Sequence, residues 1–440
     1  MKRFFHINDT LENKITYLHL LLFAISLPFD RFYSQLFLIS LTAHTLIQFK
    51  AERLKHIFRK EVLILQSIYL LTVIGTTYTQ HKSIAFGIWE KQVAIFLFPL
   101  LLLLNPIDLK KYTLPLLAAF ALINTLVILY LYYDAFHIIR YFHMPLRSIF
   151  SSNFLSHNFS APIPIHATYL SLFCSLSLLA VITTLLTGKL NAAAKCSAVL
   201  AALVLSAGLV QLSSRSVWVA TIAIFLFVVP FFCANRRQRL LYIAGTVASC
   251  ILLTIAVYKI DALSHRIAGI KTDLETKGSL YSIADPRGER WSLAWNLINH
   301  SPVYGYGAGE ELVLLKEQYF IHKLYDSYLN ALNAHNQYLS LLLKGGILAL
   351  AGYLVTLLYS ISLAVRRRNI YLVSFLLLIT IVGISENILD VNKGIFFYSF
   401  FLSLFVCGEL KINKLTDSSS NPTASTTVLT NKELLAGQPY

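Results

Sequence analysis

Of the chain's 440 residues, 56% are hydrophobic and 13% charged, and no alternating ten-residue pattern of a membrane barrel breaks up the apolar runs. The formal net charge of +15 comes mostly from basic residues between those runs, so no nucleic-acid partner is implied.

Apolar runs of about 17–25 residues recur from Ile15 to Leu410, each long enough to cross about 30 Å of hydrocarbon. The hydropathy pattern predicts an all-α polytopic membrane protein with about twelve spans, near 15–31, 32–49, 62–79, 91–105, 112–136, 166–187, 196–212, 216–233, 240–258, 338–364, 370–388 and 394–410. Met1-Lys2-Arg3 leads into a first run without a small-residue cleavage site, so the first span is expected to be retained.

Four parts follow: a membrane domain over 1–258, an insert over 259–337, a second membrane segment over 338–410, and a Ser/Thr/Asn-rich tail over 411–440 expected to be disordered. Basic residues collect at Lys50/Arg53/Lys55/Arg59/Lys60, Lys110/Lys111, Lys189/Lys195, Arg236/Arg237/Arg239 and Arg366/Arg367/Arg368, in every second connection. By the positive-inside rule these are cytoplasmic, as are both termini. The alternate connections, the insert among them, then lie on the far side of the membrane.

The insert has a soluble composition and is expected to be partly helical. It contains no Cys; all five cysteines lie in or beside apolar runs, so neither a disulfide framework nor a Cys/His zinc site is expected. Its carboxylates show no compact ligand spacing, so no metal and no cofactor are expected.

Arg287-Gly288-Glu289-Arg290-Trp291, then Pro302 and Gly305-Tyr306-Gly307, then His335-Asn336-Gln337-Tyr338-Leu339 and the Gly345-Gly346 turn, together resemble the O-antigen ligase and polymerase superfamily. Ser214-Arg215-Ser216 and Pro164-Ile165-His166-Ala167-Thr168-Tyr169 resemble it too. Lys344 departs from the pattern, since relatives often carry an acidic residue there. The resemblance implies a GT-C-like glycosyltransferase of the bacterial inner membrane, its site facing the periplasm. The donor would be a glycan on undecaprenyl pyrophosphate, and the acceptor a hydroxyl of lipid A-core. A polysaccharide polymerase, a protein O-oligosaccharyltransferase and a lipid-glycan transporter are the alternatives, in that order.

Elementary chemistry points to the same residues. A departing diphosphate needs fixed positive charge, and a guanidinium fork matches phosphate oxygens, which nominates Arg215 and Arg287. A hydroxyl nucleophile needs a proton acceptor with a pKa near neutral, which nominates His335. Secondary candidates are Arg290, His166, Lys91, Glu289 and Asn336.

Each has a plainer reading. Arg215 can snorkel at a span end, Arg287 can pair with Asp285 or Glu289, and Arg290 can be a surface charge. His335 can bond backbone at a helix start, His166 can open a helix, and Lys91 is expected to open the fourth span from outside. Glu386 and Asp390 either pair with an arginine or terminate the eleventh span. Trp291 and Trp295 read as core of the insert or as interfacial anchors. Gly305, Gly307 and Gly309 lack the Lys-Ser/Thr of a nucleotide loop and read as a sharp reversal.

Overall fold

The computed structural model describes residues 7–188, 190–233, 235–261, 263–264 and 286–419. Among these residues the chain is helical and has no strand. Fifteen helices matter here: α1 Leu11–Ser26, α2 Arg31–Ile47, α3 Lys60–Tyr78, α4 Lys82–Leu104, α5 Leu109–Tyr141, α6 Ala167–Thr187, α7 Ala192–Leu212, α8 Arg215–Ala223, α9 Arg236–Lys259, α10 Arg287–His300, α11 Glu311–Ile321, α12 Tyr325–Leu329, α13 Gln337–Arg366, α14 Ile370–Val382 and α15 Asn392–Ser419. A π-helical turn and a 3-10 turn carry α8 on to Phe232.

Nine of the described helices are long and apolar enough to cross a membrane: α3 to α7, α8 with its extension, α9, α13 and α15. The other three predicted spans correspond to shorter helices, α1 of 16 residues, α2 of 17 and α14 of 13. The chain is therefore a polytopic helical membrane protein in which twelve expected spans correspond to twelve helices, nine of them of spanning length.

Boundaries moved where charge or Gly misled the hydropathy reading. The fourth span was expected to open at Lys91, but α4 starts at Lys82 and carries Glu90 and Lys91 as exposed side chains on its flank. The eleventh was expected to reach residue 388, but α14 stops at Val382 with Gly383 as its C-cap. The freed segment, 383–391, then carries Glu386, Asn387 and Asp390 as loop residues. At the other end of the chain, α15 continues to Ser419, so helix enters the segment expected to be a disordered tail; the rest of that tail lies outside the described residues.

α15 is the hub of the bundle, with 94% of its apolar window buried. Phe396, Phe397, Phe400, Phe401 and Phe405 meet Phe23, Phe98, Phe120, Phe173 and Phe375 at ring separations of 4.9 to 6.4 Å in tilted and edge-on geometries. Lipid tails are as apolar as these rings, so close packing holds the hub more than water exclusion does. α9 is the opposite case, with none of its apolar window buried.

Lys393, in the first turn of α15, donates to the carbonyls of Leu27 and Phe29 and so ties the α1–α2 turn to this end of the hub. Glu409, sixteen residues on and so about 24 Å away along the helix, holds Lys110 at 3.4 Å and Asn369 at 2.8 Å. Basic connections thus gather at one end of the bundle and the insert at the other.

The insert is anchored by backbone. α13 is broken at Gly345 and Gly346, the latter at φ 59°, and the freed carbonyls of Leu343 and Lys344 accept from Tyr306 N at 2.8 Å and Gly307 N at 2.9 Å. A Cβ on Gly346 would lie 2.1 Å from the Val303 carbonyl oxygen, so this crossing requires glycine. The Pro-x-x-Gly-x-Gly and Gly-Gly motifs are therefore two sides of one contact. Glu310 adds a second anchor: Thr79 Oγ1, Gln80 N and His81 N donate to one carboxylate oxygen at 2.6 to 2.8 Å, and His81 Nδ1 meets the other at 2.9 Å. Burial opposes charge on Glu310, but these bonds outweigh it and hold its carboxyl below the usual range.

Candidate active site

Where the insert meets the bundle, a cavity of about 370 Å³ is lined by His157, His166, Ser213 to Ser216, Arg287, Trp291, His335 and Ile384 to Glu386, among others. Five stretches far apart in sequence supply these groups, and four deliver them at a helix N-terminus. That arrangement has a physical consequence, because the first amides of a helix lack intrahelical acceptors and carry the positive end of its dipole.

Two of the four N-termini are closed by their own side chains. Asn336 Oδ1 accepts from Tyr338 N and Leu339 N at 3.0 and 3.2 Å and caps α13, and His166 Nδ1 accepts from Thr168 N at 3.4 Å at the head of α6. The other two have no side-chain cap: α8, preceded by Ser214, and α10, preceded by Pro286. Each of these begins with an arginine, Arg215 and Arg287. Two uncapped helix starts, each led by a guanidinium, make one cavity wall suited to an anion with several oxygens.

Local geometry explains how Arg215 arrives there. Ser213 takes the left-handed conformation, φ 51°, so the chain reverses in two residues between α7 and α8. Trp218 Nε1 then donates to Leu209 O at 2.7 Å, and Gln211 Nε2 holds the Ile149 carbonyl at 2.7 Å. On the facing wall, Trp291 Nε1 donates to Ala334 O at 2.9 Å and fixes α10 against the turn that carries His335.

His335 is itself left-handed, at φ 47°, with its amide on Asn333 Oδ1 at 3.0 Å. A non-glycine residue in that region persists only where its surroundings over-determine it. Its Nδ1 lies 3.5 Å from Glu386 Oε2, and the other oxygen of Glu386 lies 3.9 Å from Arg287 Nη2. Burial disfavours charge on Glu386, yet the nearby His335 imidazole and the fields of His166 and Arg287 prevail, and its carboxyl sits below the usual value. Glu386 is therefore a carboxylate at neutral pH, placed between the base candidate and an anion-binding candidate.

His166 stands edge-on to His157, with ring centroids 4.1 Å apart. Desolvation in the cavity wall is the largest effect on its imidazole; Glu386 opposes it, while His157, His335 and Arg287 add to it, and the result is a pKa of about 4. The ring is nevertheless open to the cavity, so water moderates that drop. His166 is neutral at physiological pH.

Of the residues nominated from sequence, Arg215, Arg287, His335 and His166 meet on this cavity. Asn336 is beside it as the α13 cap. Lys91 is not on the cavity wall, for the reason that moved the start of α4. Arg290 is buried at 5% exposure and Glu289 half-buried, and neither lines the cavity. The reading of Arg290 as a surface charge is thereby corrected: one turn of α10 presents Arg287 to the cavity and leaves Arg290 buried. Trp291 is in the wall, whereas Trp295 is exposed. Asp285, the alternative partner for Arg287, lies outside the described residues.

His157 was missed. It sits in a segment with no periodicity, and only the fold brings it to His166. Glu386 had a signal, an ionisable group at the outer end of an apolar run, but nothing in the chain order connects it to His335.

A second, apolar cavity of about 480 Å³ adjoins the first through α8. Leu178, Leu209, Trp218, Phe225 and Leu253 are among its walls, so α8 presents Arg215 and Val219 to the polar cavity and Trp218 and Phe225 to the apolar one. Among the described residues, no three His, Cys, Asp or Glu side chains cluster as a metal site.

The chain is thus a helical membrane bundle with a cationic, histidine-bearing cavity where the insert meets it. Residues 200–354 match the family model described as O-antigen ligase, and over that segment the chain is similar to this family. The matched segment contains Arg215, Arg287 and His335 but neither His166 nor Glu386. No curated protein matches the chain.

Proposed function

We propose that this protein is a GT-C-like glycosyltransferase of the bacterial inner membrane that moves a glycan from undecaprenyl pyrophosphate to a hydroxyl of lipid A-core on the periplasmic face. The observation that carries the reading is the pair of uncapped helix starts at Arg215 and Arg287, facing one cavity with His335. The diphosphate would lie between the two guanidinium groups and the first-turn amides behind them, in place of a divalent cation. The polyprenyl tail would run along α8 into the apolar cavity.

In this scheme Glu386 favours the His335 tautomer with its proton on Nδ1, leaving Nε2 free to accept. The acceptor hydroxyl gives its proton to His335 as its oxygen bonds to the anomeric carbon. The bond from that carbon to the pyrophosphate oxygen breaks, and the diphosphate leaves with the electron pair, held by the arginines. A single in-line displacement of this kind inverts the anomeric centre.

Both termini and the basic connections would be cytoplasmic. Deleting the gene and resolving the host's lipopolysaccharide on a gel tests the assignment. A ligase predicts unligated core with accumulation of lipid-linked polymer; single repeats on the core select a polymerase that joins two lipid-linked glycans. Intact lipopolysaccharide with loss of protein-bound glycan selects a protein-glycosylating ligase. Product formation by purified protein from synthetic lipid-linked donor and acceptor excludes a transporter, which makes no covalent bond.

A further inference from the structure

Beside the cavity lies a second charge cluster, built on Lys344, Glu311 and Asp390, none of which lines the cavity. Lys344 Nζ, on α13 one residue before the Gly break, is 2.9 Å from Glu311 Oε2 and 2.6 Å from Asp390 Oδ1. Ser340 Oγ lies 2.5 Å from Glu311 Oε2 and 3.2 Å from Asp390 Oδ2, so its one proton can serve either carboxylate. Asn387 Nδ2 donates to both, at 3.2 Å to Glu311 Oε1 and 2.8 Å to Asp390 Oδ2. Two carboxylates therefore share one ammonium and two neutral donors in an interior where Glu311 is only 4% exposed.

Two further hydrogen bonds leave this cluster, and they end on either side of His335. The Ala334 amide donates to Glu311 Oε1 at 3.3 Å, and the Asn336 amide donates to Asn387 Oδ1 at 2.7 Å. Asn387 is also the chain neighbour of Glu386. The left-handed backbone of His335 is thus clamped from both flanks by groups whose own positions depend on Lys344.

We propose that Lys344 is a positioning residue: by holding Glu311 and Asp390 together it fixes the Ala334–Asn336 turn and the Glu386–Asn387 segment, and so sets His335 against Glu386. Without the ammonium, two adjacent carboxylates face each other in a desolvated site, which costs more than the remaining hydrogen bonds return. One of them must take a proton or move, and either response loosens Ala334 or Asn387.

The proposal rests on the glycosyl-transfer reading for its kinetic arm alone. Backbone hydrogen–deuterium exchange over residues 331–339, measured on the full chain in detergent, reads the clamp whatever the reaction is. K344M should accelerate exchange there by at least about tenfold without affecting α15, lower kcat by about 10- to 100-fold, and leave the donor KM within about threefold. Adding D390N to K344M removes the surplus negative charge and should recover most of both losses.

Unchanged exchange in folded K344M overturns the proposal. So does a rise in donor KM with kcat kept, which would mean that Lys344 touches substrate. If K344M does not fold, K344M/D390N decides: near-native exchange supports the clamp, and failure of the double variant to fold overturns it. A wild-type protein that makes no product removes the transferase reading while leaving the exchange result intact.

Discussion

Glu386 and Asp390 stand four residues apart in one loop, and each serves a basic partner, yet the two clusters are built differently. Around Asp390 the contacts to Lys344, Ser340 and Asn387 are 2.6 to 3.2 Å long, and Glu311 closes the same set from the other side. Around Glu386 the contacts to His335 and Arg287 are 3.5 and 3.9 Å, and His335 Nδ1 has no bond of good geometry. Short contacts give each of the four carboxylate oxygens at least one donor within the cluster. Long ones at a cavity edge leave the charges available to tighten on a substrate, which is how unliganded catalytic geometry commonly looks. The saturated cluster is scaffold, and the loose one is where chemistry is expected.

Substitutions on the loose side should change turnover and spare the fold. H335A is expected to lower transfer by roughly 10²–10⁴-fold, with a thermal unfolding curve like wild type. Near-normal turnover would return His335 to a mere helix-start residue. R287A should cost about 10²–10³-fold, and R287K should fall between R287A and wild type because a point charge replaces a fork. EDTA should change none of these rates in an in vitro transfer assay; inhibition reversed by Mg²⁺ or Mn²⁺ would put a metal where the arginine clamp is proposed.

E386Q keeps shape but removes the charge that orients His335, so kcat should drop about tenfold with donor KM little changed. Equal activity in steady-state kinetics would make Glu386 a bystander. On the saturated side the expected signature is opposite: G346A, at φ 59° and against the Val303 carbonyl, should cost roughly 2 kcal/mol or more of stability, read as earlier thermal unfolding. A variant as stable as wild type would mean that the insert is not held by this crossing.

The smallest effect concerns His166. Its folded value of about 4 lies below the roughly 6.5 of an unfolded histidine. Below about pH 6.5 the unfolded chain takes up a proton that the folded one does not, so stability declines as pH falls, and the loss is complete below about 4. H166Q should flatten that decline slightly in unfolding scans between pH 7 and 4.5, and only slightly because the ring is open to the cavity. An unchanged slope would show that other groups dominate it.

Each of the twelve expected spans falls on a helix, nine of them long and apolar enough to cross a membrane, because a chain in hydrocarbon must satisfy its backbone within each span. The hydropathy pattern misjudged ends wherever a charge sits inside a helix, as at Lys91, or a helix stops early, as at Gly383. Arg215, Arg287 and His335 were legible because each stands beside a local feature that needs no partner: a short turn, a helix start after Pro286, a His-Asn pair before an apolar run. Arg290 was misplaced because its burial depends on which face of α10 packs inward.

What the sequence by itself determined was the class, a helical membrane protein with a polar insert, together with the residue types that carry charge at one end of the bundle. Its periodicity and charge bias are local properties, and they survive without knowledge of neighbours. Only the tertiary structure decided that Glu386 and His157 join the cavity, that the two arginines lead uncapped helices while Asn336 and His166 close theirs, and that Lys344 is bound into a carboxylate pair behind His335. Apart from the two local caps, those are relations between groups brought together by the fold, and their energies depend on distance and desolvation, which a one-dimensional pattern does not contain.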